Sequence, residues 1–175
     1  KTKIPMIFDL SSKITLERIP TRYYRTSDPV EAIRQTRYEK LRTEIYETDT
    51  EGSAVVAREI ATLIRAKAEK GMACVLGIPG GSTPMKVYKE LVKLHQREGL
   101  SFKNVFIFNV NEFFPVRTKQ HSNGKILREY LINKVDLPEG HFFTPDESIT
   151  RDNVFEFCQN YEAKIEELGG LDYVI

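Results

Sequence analysis

Apolar residues change their spacing several times along this chain, and each change marks an element. Over residues 50–70 they recur at helical spacing, with Val56, Ala57, Ile60, Ala61, Ile64 and Ala68 near one face. Thr48 or Asp49 suits the N-cap of this helix, and Gly71 suits its stop. Residues 72–78 are a short, almost continuous apolar run, as in a strand buried on both faces. Helical spacing returns over 83–98, where Val87, Tyr88, Leu91, Val92 and Leu94 share one side. Residues 105–109 form another apolar strand, and 122–133 a helix with Ile126, Leu127, Tyr130 and Leu131 inward. Shorter segments complete the pattern: strands at 44–47 and 142–144, a helix at 152–168, and an apolar strand from Leu171. Apolar strands alternating with helices predict a doubly wound, mostly parallel α/β sheet flanked by helices. The last strand pattern runs to Ile175 without a covering helix, so the chain is expected to be a piece of a longer protein, truncated at the C-terminal end of its α/β domain.

The first 42 residues break this rhythm. They carry Pro5, Pro20 and Pro29, the aromatic pair Tyr23 and Tyr24, and Arg and Lys scattered among acids. Residues 1–42 are therefore expected to be an N-terminal arm, with a short helix near 29–41, that packs on the domain or on a neighbouring subunit. Residues 43–175 are the α/β domain.

Composition changes this picture mainly by exclusion. The 175 residues are 41% hydrophobic and 29% charged with net charge +1, as in a soluble domain with a sizeable core. That balance gives no reason to expect nucleic acid or an acidic membrane as partner. The apolar runs are shorter than a membrane span requires. The two cysteines, Cys74 and Cys158, read as small core hydrophobes in a reducing cytosol, and no Cys/His cluster has metal-ligand spacing. The expected compartment is the cytoplasm.

The chemistry concentrates where the 72–78 strand ends. Pro79-Gly80-Gly81-Ser82-Thr83-Pro84 separates it from the next helix. Glycines let backbone N–H groups approach a ligand, and a helix N-terminus adds unpaired donors and a favourable dipole. Ser82 or Thr83 can cap the helix, with Pro84 in its first turn. Gly80, Gly81, Ser82 and Thr83 are thus candidate phosphate ligands, although a plain tight turn explains the same residues. The segment is neither a Walker loop nor a dinucleotide fingerprint, because the required lysine and glycine spacings are missing. The next strand leads into Asn109-Val110-Asn111-Glu112-Phe113. Ligands of open α/β sheets bind beyond the carboxyl ends of the strands. Asn109, Asn111 and Glu112 should therefore stand beside the glycine turn, where amides and a carboxylate suit sugar hydroxyls. Turn capping by the two asparagines is the alternative. Among the histidines, His95 is expected on an exposed helix face, His121 in the loop near the site, and His141 in a structural place.

These segments, with Tyr88-Lys89-Glu90-Leu91-Val92, Ser101-Phe102-Lys103-Asn104-Val105, Val135-Asp136-Leu137-Pro138 and Gly169-Gly170-Leu171-Asp172, resemble the glucosamine-6-phosphate deaminase (isomerase) family over residues 44–175. The arm resembles that of a longer subgroup, in which a de-N-acetylase-like domain can follow. The resemblance implies a phosphosugar isomerase-type fold, and conversion of glucosamine 6-phosphate and water to fructose 6-phosphate and ammonia. It implies a homo-oligomer, with no cofactor and no catalytic metal. It places Gly80–Thr83 at the phosphate and Asn111 at the family's proton-shuttling Asp, followed by the matching Glu112. Asn111 departs from the pattern, because an amide cannot serve as the base. Asn123 also departs, standing where the family often has Tyr. The ring-opening His is expected past Ile175. Two alternatives stay open: a phosphosugar-binding protein without catalysis, and a 6-phosphogluconolactonase-like hydrolase, whose usual Asp-Glu-Arg is here Asn111-Glu112-Phe113.

Overall fold

The computed structural model describes residues 30, 44–116 and 122–175. The chain divides into two compact units, Lys1–Glu44 and Ile45–Ile175. Of the expected arm helix only residue 30 is described, and it is helical; His121 lies outside the described residues.

The second unit begins with helix α1, Asp49–Glu69. Thr48 caps it by accepting the Glu51 N–H at 3.1 Å, and the Glu51 carboxylate reaches back to the Glu47 N–H at 3.3 Å. This near-capping box draws residue 47 into the helix start, and residues 44–47 do not form the expected strand. Ala57, Ile60, Ala61 and Ile64 of α1 are buried, while Ala68 is exposed on its last turn.

Strand β1 (Cys74–Ile78) is buried throughout and pairs in parallel with β2 (Val105–Asn109), Leu76 opposite Ile107 and Ile78 opposite Asn109. Helix α2 (Met85–Glu98) connects them. Helix α3 (Asn123–Tyr130) follows β2 and ends sooner than expected, giving way to a 3-10 turn at Ile132–Lys134. The short strands β3 (Phe142–Phe143) and β4 (Tyr173–Val174) flank the central pair, with helix α4 (Val154–Glu167) between them in the chain. The sheet is parallel and four-stranded in the order β3-β2-β1-β4. This is the expected parallel α/β architecture.

Side chains alternate across the sheet. Cys74, Leu76, Ile78, Val105 and Ile107 join one core cluster with α1, the α2 stripe Val87, Tyr88, Leu91, Val92 and Leu94, and Leu127 and Leu131. On the opposite face Phe108 stacks on Phe143 and meets the Tyr161 ring of α4 edge-on. Helix α4 contains no fully buried residue, and its Phe155 is 73% exposed. Cys158 is likewise exposed, against the expectation of a core role, while Cys74 is buried and its thiol is pushed up to about 12 by burial. His95 is half-buried rather than exposed: its Nδ1 lies 2.6 Å from the Leu100 carbonyl and its ring meets Phe102 edge-on. His141 stacks on Phe106, in the structural place expected.

Candidate functional site

The carboxyl ends of β1 and β2 lie side by side, so the two segments that follow them meet. After Ile78 the chain turns through Pro79, Gly80 and Gly81 into α2. The Tyr88 hydroxyl of α2 donates to the Pro79 carbonyl and ties the turn to the core. Gly80 is buried because α3 begins directly over it: a Cβ there would come within 2.3 Å of the Asn123 side chain. Gly81 has φ +111°, a conformation that L side chains rarely adopt, with open space where its Cβ would be. Neither contact nor crowding therefore blocks the outer side of the turn at Gly81.

Ser82 and Thr83 do not cap α2 as expected. The N-cap is Pro84, in helical conformation, with no side-chain capping bond, because a turn from the Met85 N–H to the Ser82 carbonyl precedes the helix. Ser82 and Thr83 are consequently exposed, and no acidic residue lies in the first turn of α2.

The segment after β2 is held from several sides. Asn109 is only 3% exposed, and its amide nitrogen donates to Glu112 at 3.3 Å and to Thr144 at 3.1 Å. Its backbone carbonyl faces the Tyr161 hydroxyl at 3.0 Å. Asn111 is exposed and accepts the Gly80 N–H on its side-chain oxygen at 3.2 Å. Its backbone carbonyl accepts from the Asn123 amide at 3.0 Å.

Glu112 faces the start of α3. One carboxylate oxygen accepts the N–H groups of Phe113 and Asn123, both at 3.0 Å. The other accepts from the Gly124 N–H and the Ser122 hydroxyl, both at 2.9 Å, and from Asn109. Partial burial alone raises its pKa. The backbone N–H groups of Gly124, Asn123 and Phe113, with the Ser122 hydroxyl, outweigh that and hold it below the ordinary glutamate range.

The structure thus brings Gly80 and Asn111 into contact, leaves Ser82 and Thr83 exposed and Gly81 uncrowded in the same turn, and buries Asn109 at the end of β2. Three contributors carry little signal in the sequence. Asn123 reads only as a departure from a pattern, yet it packs on Gly80. Thr144 and Tyr161 reach Asn109 from distant segments, and no local spacing signals them. Among the described residues no group of three His, Cys, Asp or Glu is gathered for a metal ion, and no helix is long and apolar enough to cross a membrane.

Fold and site define a parallel α/β protein with a glycine turn and a helix lacking a side-chain cap beyond the carboxyl ends of its strands. Residues 47–175 match the family of glucosamine-6-phosphate isomerases/6-phosphogluconolactonase, and the chain belongs to it. A glucosamine-6-phosphate deaminase-like protein of Bacteroides thetaiotaomicron is 45% identical over 95% of this chain and 25% of its own length. Glucosamine-6-phosphate deaminase 2 of Giardia intestinalis is 35% identical over 70% of this chain and 44% of its own. A monomeric glucosamine-6-phosphate deaminase of known structure shares the fold with TM-score 0.68 and 28% identity, over 75% of this chain and 53% of that one. The 6-phosphogluconolactonase of Trypanosoma brucei shares the fold at TM-score 0.57 and 22% identity. The chain spans a quarter to about half the length of these relatives.

Proposed function

We propose that this chain carries the phosphate-side half of a glucosamine-6-phosphate deaminase-type site. The whole protein would convert glucosamine 6-phosphate and water to fructose 6-phosphate and ammonia in the cytoplasm, as a homo-oligomer. The observation that carries this reading is a contrast between two helix N-termini. That of α3 is already filled by the protein's own Glu112 carboxylate, whereas α2 has no side-chain cap and no acid in its first turn. A phosphate seated against Gly81, Ser82 and Thr83 would meet backbone donors, two exposed hydroxyls and the positive end of the α2 dipole. Asn111, joined to the same turn, would stand at the sugar.

A relative named as a deaminase at 35% identity, and one named as deaminase-like at 45%, favour this reaction over lactone hydrolysis. The test is calorimetric titration of the protein with glucosamine 6-phosphate, comparing wild type with Gly81→Val. A β-branched residue cannot adopt φ +111° without strain, although its Cβ has room. Loss of affinity in a variant that still melts cooperatively supports the site, and unchanged affinity overturns it.

One observation favours a second reading. Isomerisation needs a base that removes the proton from carbon two and returns it to carbon one. Asn111 is a neutral amide whose oxygen already accepts a hydrogen bond from Gly80. A protein that binds the sugar phosphate without turning it over fits that amide. Tight binding with no ammonia release by the full-length protein would select this reading.

A further inference from the structure

Glu112 stands at the junction of three segments, and its bonding pattern assigns it a particular task. A carboxylate offers about four lone-pair positions. Here five donors converge on it: the N–H groups of Phe113, Asn123 and Gly124, the Ser122 hydroxyl and the Asn109 amide. Asn123 and Gly124 are the first two residues of α3, whose N–H groups have no acceptor inside their own helix. Glu112 satisfies both from outside the helix and puts a negative charge at the positive end of its dipole. A general base needs a lone pair aimed at the proton it takes. The lone pairs of this carboxylate are aimed into the protein.

The consequence reaches the glycine turn through one residue. Asn123 is held by Glu112 through its backbone N–H, donates its side-chain amide to the Asn111 carbonyl, and lies against Gly80 where any Cβ would collide with it. Asn111 in turn accepts the Gly80 N–H. We infer that Glu112 is a positioning residue and not an acid–base group: it seats the start of α3 so that Asn123 and Asn111 fix the glycine turn. The affinity and turnover readouts below rest on the sugar-phosphate reading of the site; the spectroscopic readout does not.

The experiment compares wild type with Glu112→Gln by three measurements. The first is the backbone amide resonance and hydrogen-exchange protection of Gly80. The second is calorimetric titration with glucosamine 6-phosphate. The third is the kcat and KM of the full-length protein. In the Gln variant one oxygen becomes an NH2 group, which cannot accept from the donors it faces: those of Phe113 and Asn123 on one side, or of Ser122, Gly124 and Asn109 on the other. The Gly80 resonance is expected to move and lose protection, although the Gly80 N–H bonds to Asn111 and not to residue 112. Affinity should fall about tenfold, with KM rising more than kcat falls. An unmoved Gly80 amide, or a kcat loss in the range of about 10²–10⁴ at unchanged affinity, overturns the inference and returns Glu112 to acid–base work. Should the Gln variant fail to fold, Glu112→Asp keeps both acceptor oxygens on a shorter arm. A partial Gly80 shift is then expected, and a wild-type resonance overturns the inference. If wild type binds no glucosamine 6-phosphate while Gly80 responds as expected, the sugar-phosphate reading fails and the positioning role stands.

Discussion

Asn111 and Gly80, 31 positions apart, are joined by a hydrogen bond of 3.2 Å from the glycine N–H to the asparagine side-chain oxygen. One donor of the glycine turn is therefore already used within the protein. The donors that remain for a ligand lie further round the turn, from Gly81 onward. The bond also orients the amide of Asn111, with its oxygen to the turn and its NH2 as the other arm.

An aspartate at 111 would keep the acceptor that Gly80 needs and add a second, basic oxygen. Asn111→Asp is accordingly expected to leave thermal stability near wild type. In the full-length protein it should raise the rate of ammonia release, with a gain that could approach about 10²-fold if proton transfer limits turnover. A coupled ammonia assay decides it. A fast wild type slowed by Asn111→Asp would mean that another group supplies the base.

The two glycines of the turn should lose stability to alanine for different reasons. Gly80→Ala drives a Cβ to within 2.3 Å of Asn123, a buried side chain bonded to Asn111, so the start of α3 must move. Overpacking of this kind costs about 1–3 kcal/mol. Gly81→Ala meets no atom within 4 Å, and its cost is the strain of φ +111°, about 1–3 kcal/mol. Urea unfolding gives the totals, and the double variant Gly80→Ala with Asn123→Ala separates the causes. Removing the Asn123 side chain should recover part of the loss at Gly80. No recovery would show that the collision is not its source.

Ser82→Ala and Thr83→Ala test the ligand side with little risk to the fold, because both residues are exposed and neither caps α2. Melting temperatures should stay close to wild type. A hydrogen bond to a charged group is worth about 1.5–3 kcal/mol, so each lost phosphate contact should weaken glucosamine 6-phosphate binding by about tenfold or more. Titration of both variants with wild-type affinity would remove their hydroxyls from the site.

How much of this was legible in the chain depends on distance. The α2 stripe from Val87 to Leu94 and the bounds of β2 follow from spacing and burial alone, and the structure has them as read. The glycine turn was legible because strand, glycines and helix are contiguous. Residues 44–47 read as a strand because Ile45 and Tyr46 are both common in strands, but Thr48 caps the helix that follows and the Glu51 carboxylate accepts the Glu47 N–H. Ser82 and Thr83 looked like caps from their place before a helix. Pro84 in helical conformation moved the cap one position on. The surroundings of Asn109 were illegible for a different reason: Thr144 and Tyr161 reach it across 35 and 52 positions, and only the folded sheet brings them there.

Tyr161 supplies a clean test of that buried support. Its hydroxyl lies 3.0 Å from the Asn109 carbonyl and 2.9 Å from the Phe143 carbonyl, and burial raises its pKa well above the ordinary tyrosine value. Tyr161→Phe keeps the ring against Phe108 and Phe157 and removes only the donor. The expected loss is about 1–3 kcal/mol, the cost of leaving buried carbonyl groups short of a partner. Denaturant unfolding measures it. A loss below about 0.5 kcal/mol would place the stabilisation in the ring packing instead.

Glu112 and Asp136 both have folded pKa values below their ordinary 4.5 and 3.8. For Asp136, burial alone acts upward, and the Phe102 N–H, the Ser101 hydroxyl and the nearby His95 outweigh it. A carboxylate whose pKa is depressed by folding binds its proton more readily in the unfolded chain. Its contribution to stability is therefore complete above the ordinary pKa and is lost as pH falls through the folded value. Between pH 7 and 5 neither group should change stability. Below about pH 4.5 stability should drop as both are protonated, and the fall should continue past pH 3.8. Asp136→Asn should lower stability at pH 7 and flatten the acidic limb, because the amide cannot titrate. The check is urea unfolding at intervals from pH 7 to 3 for both proteins. Acidic limbs of equal slope in wild type and Asp136→Asn would show that Asp136 does not carry its share of the acid sensitivity.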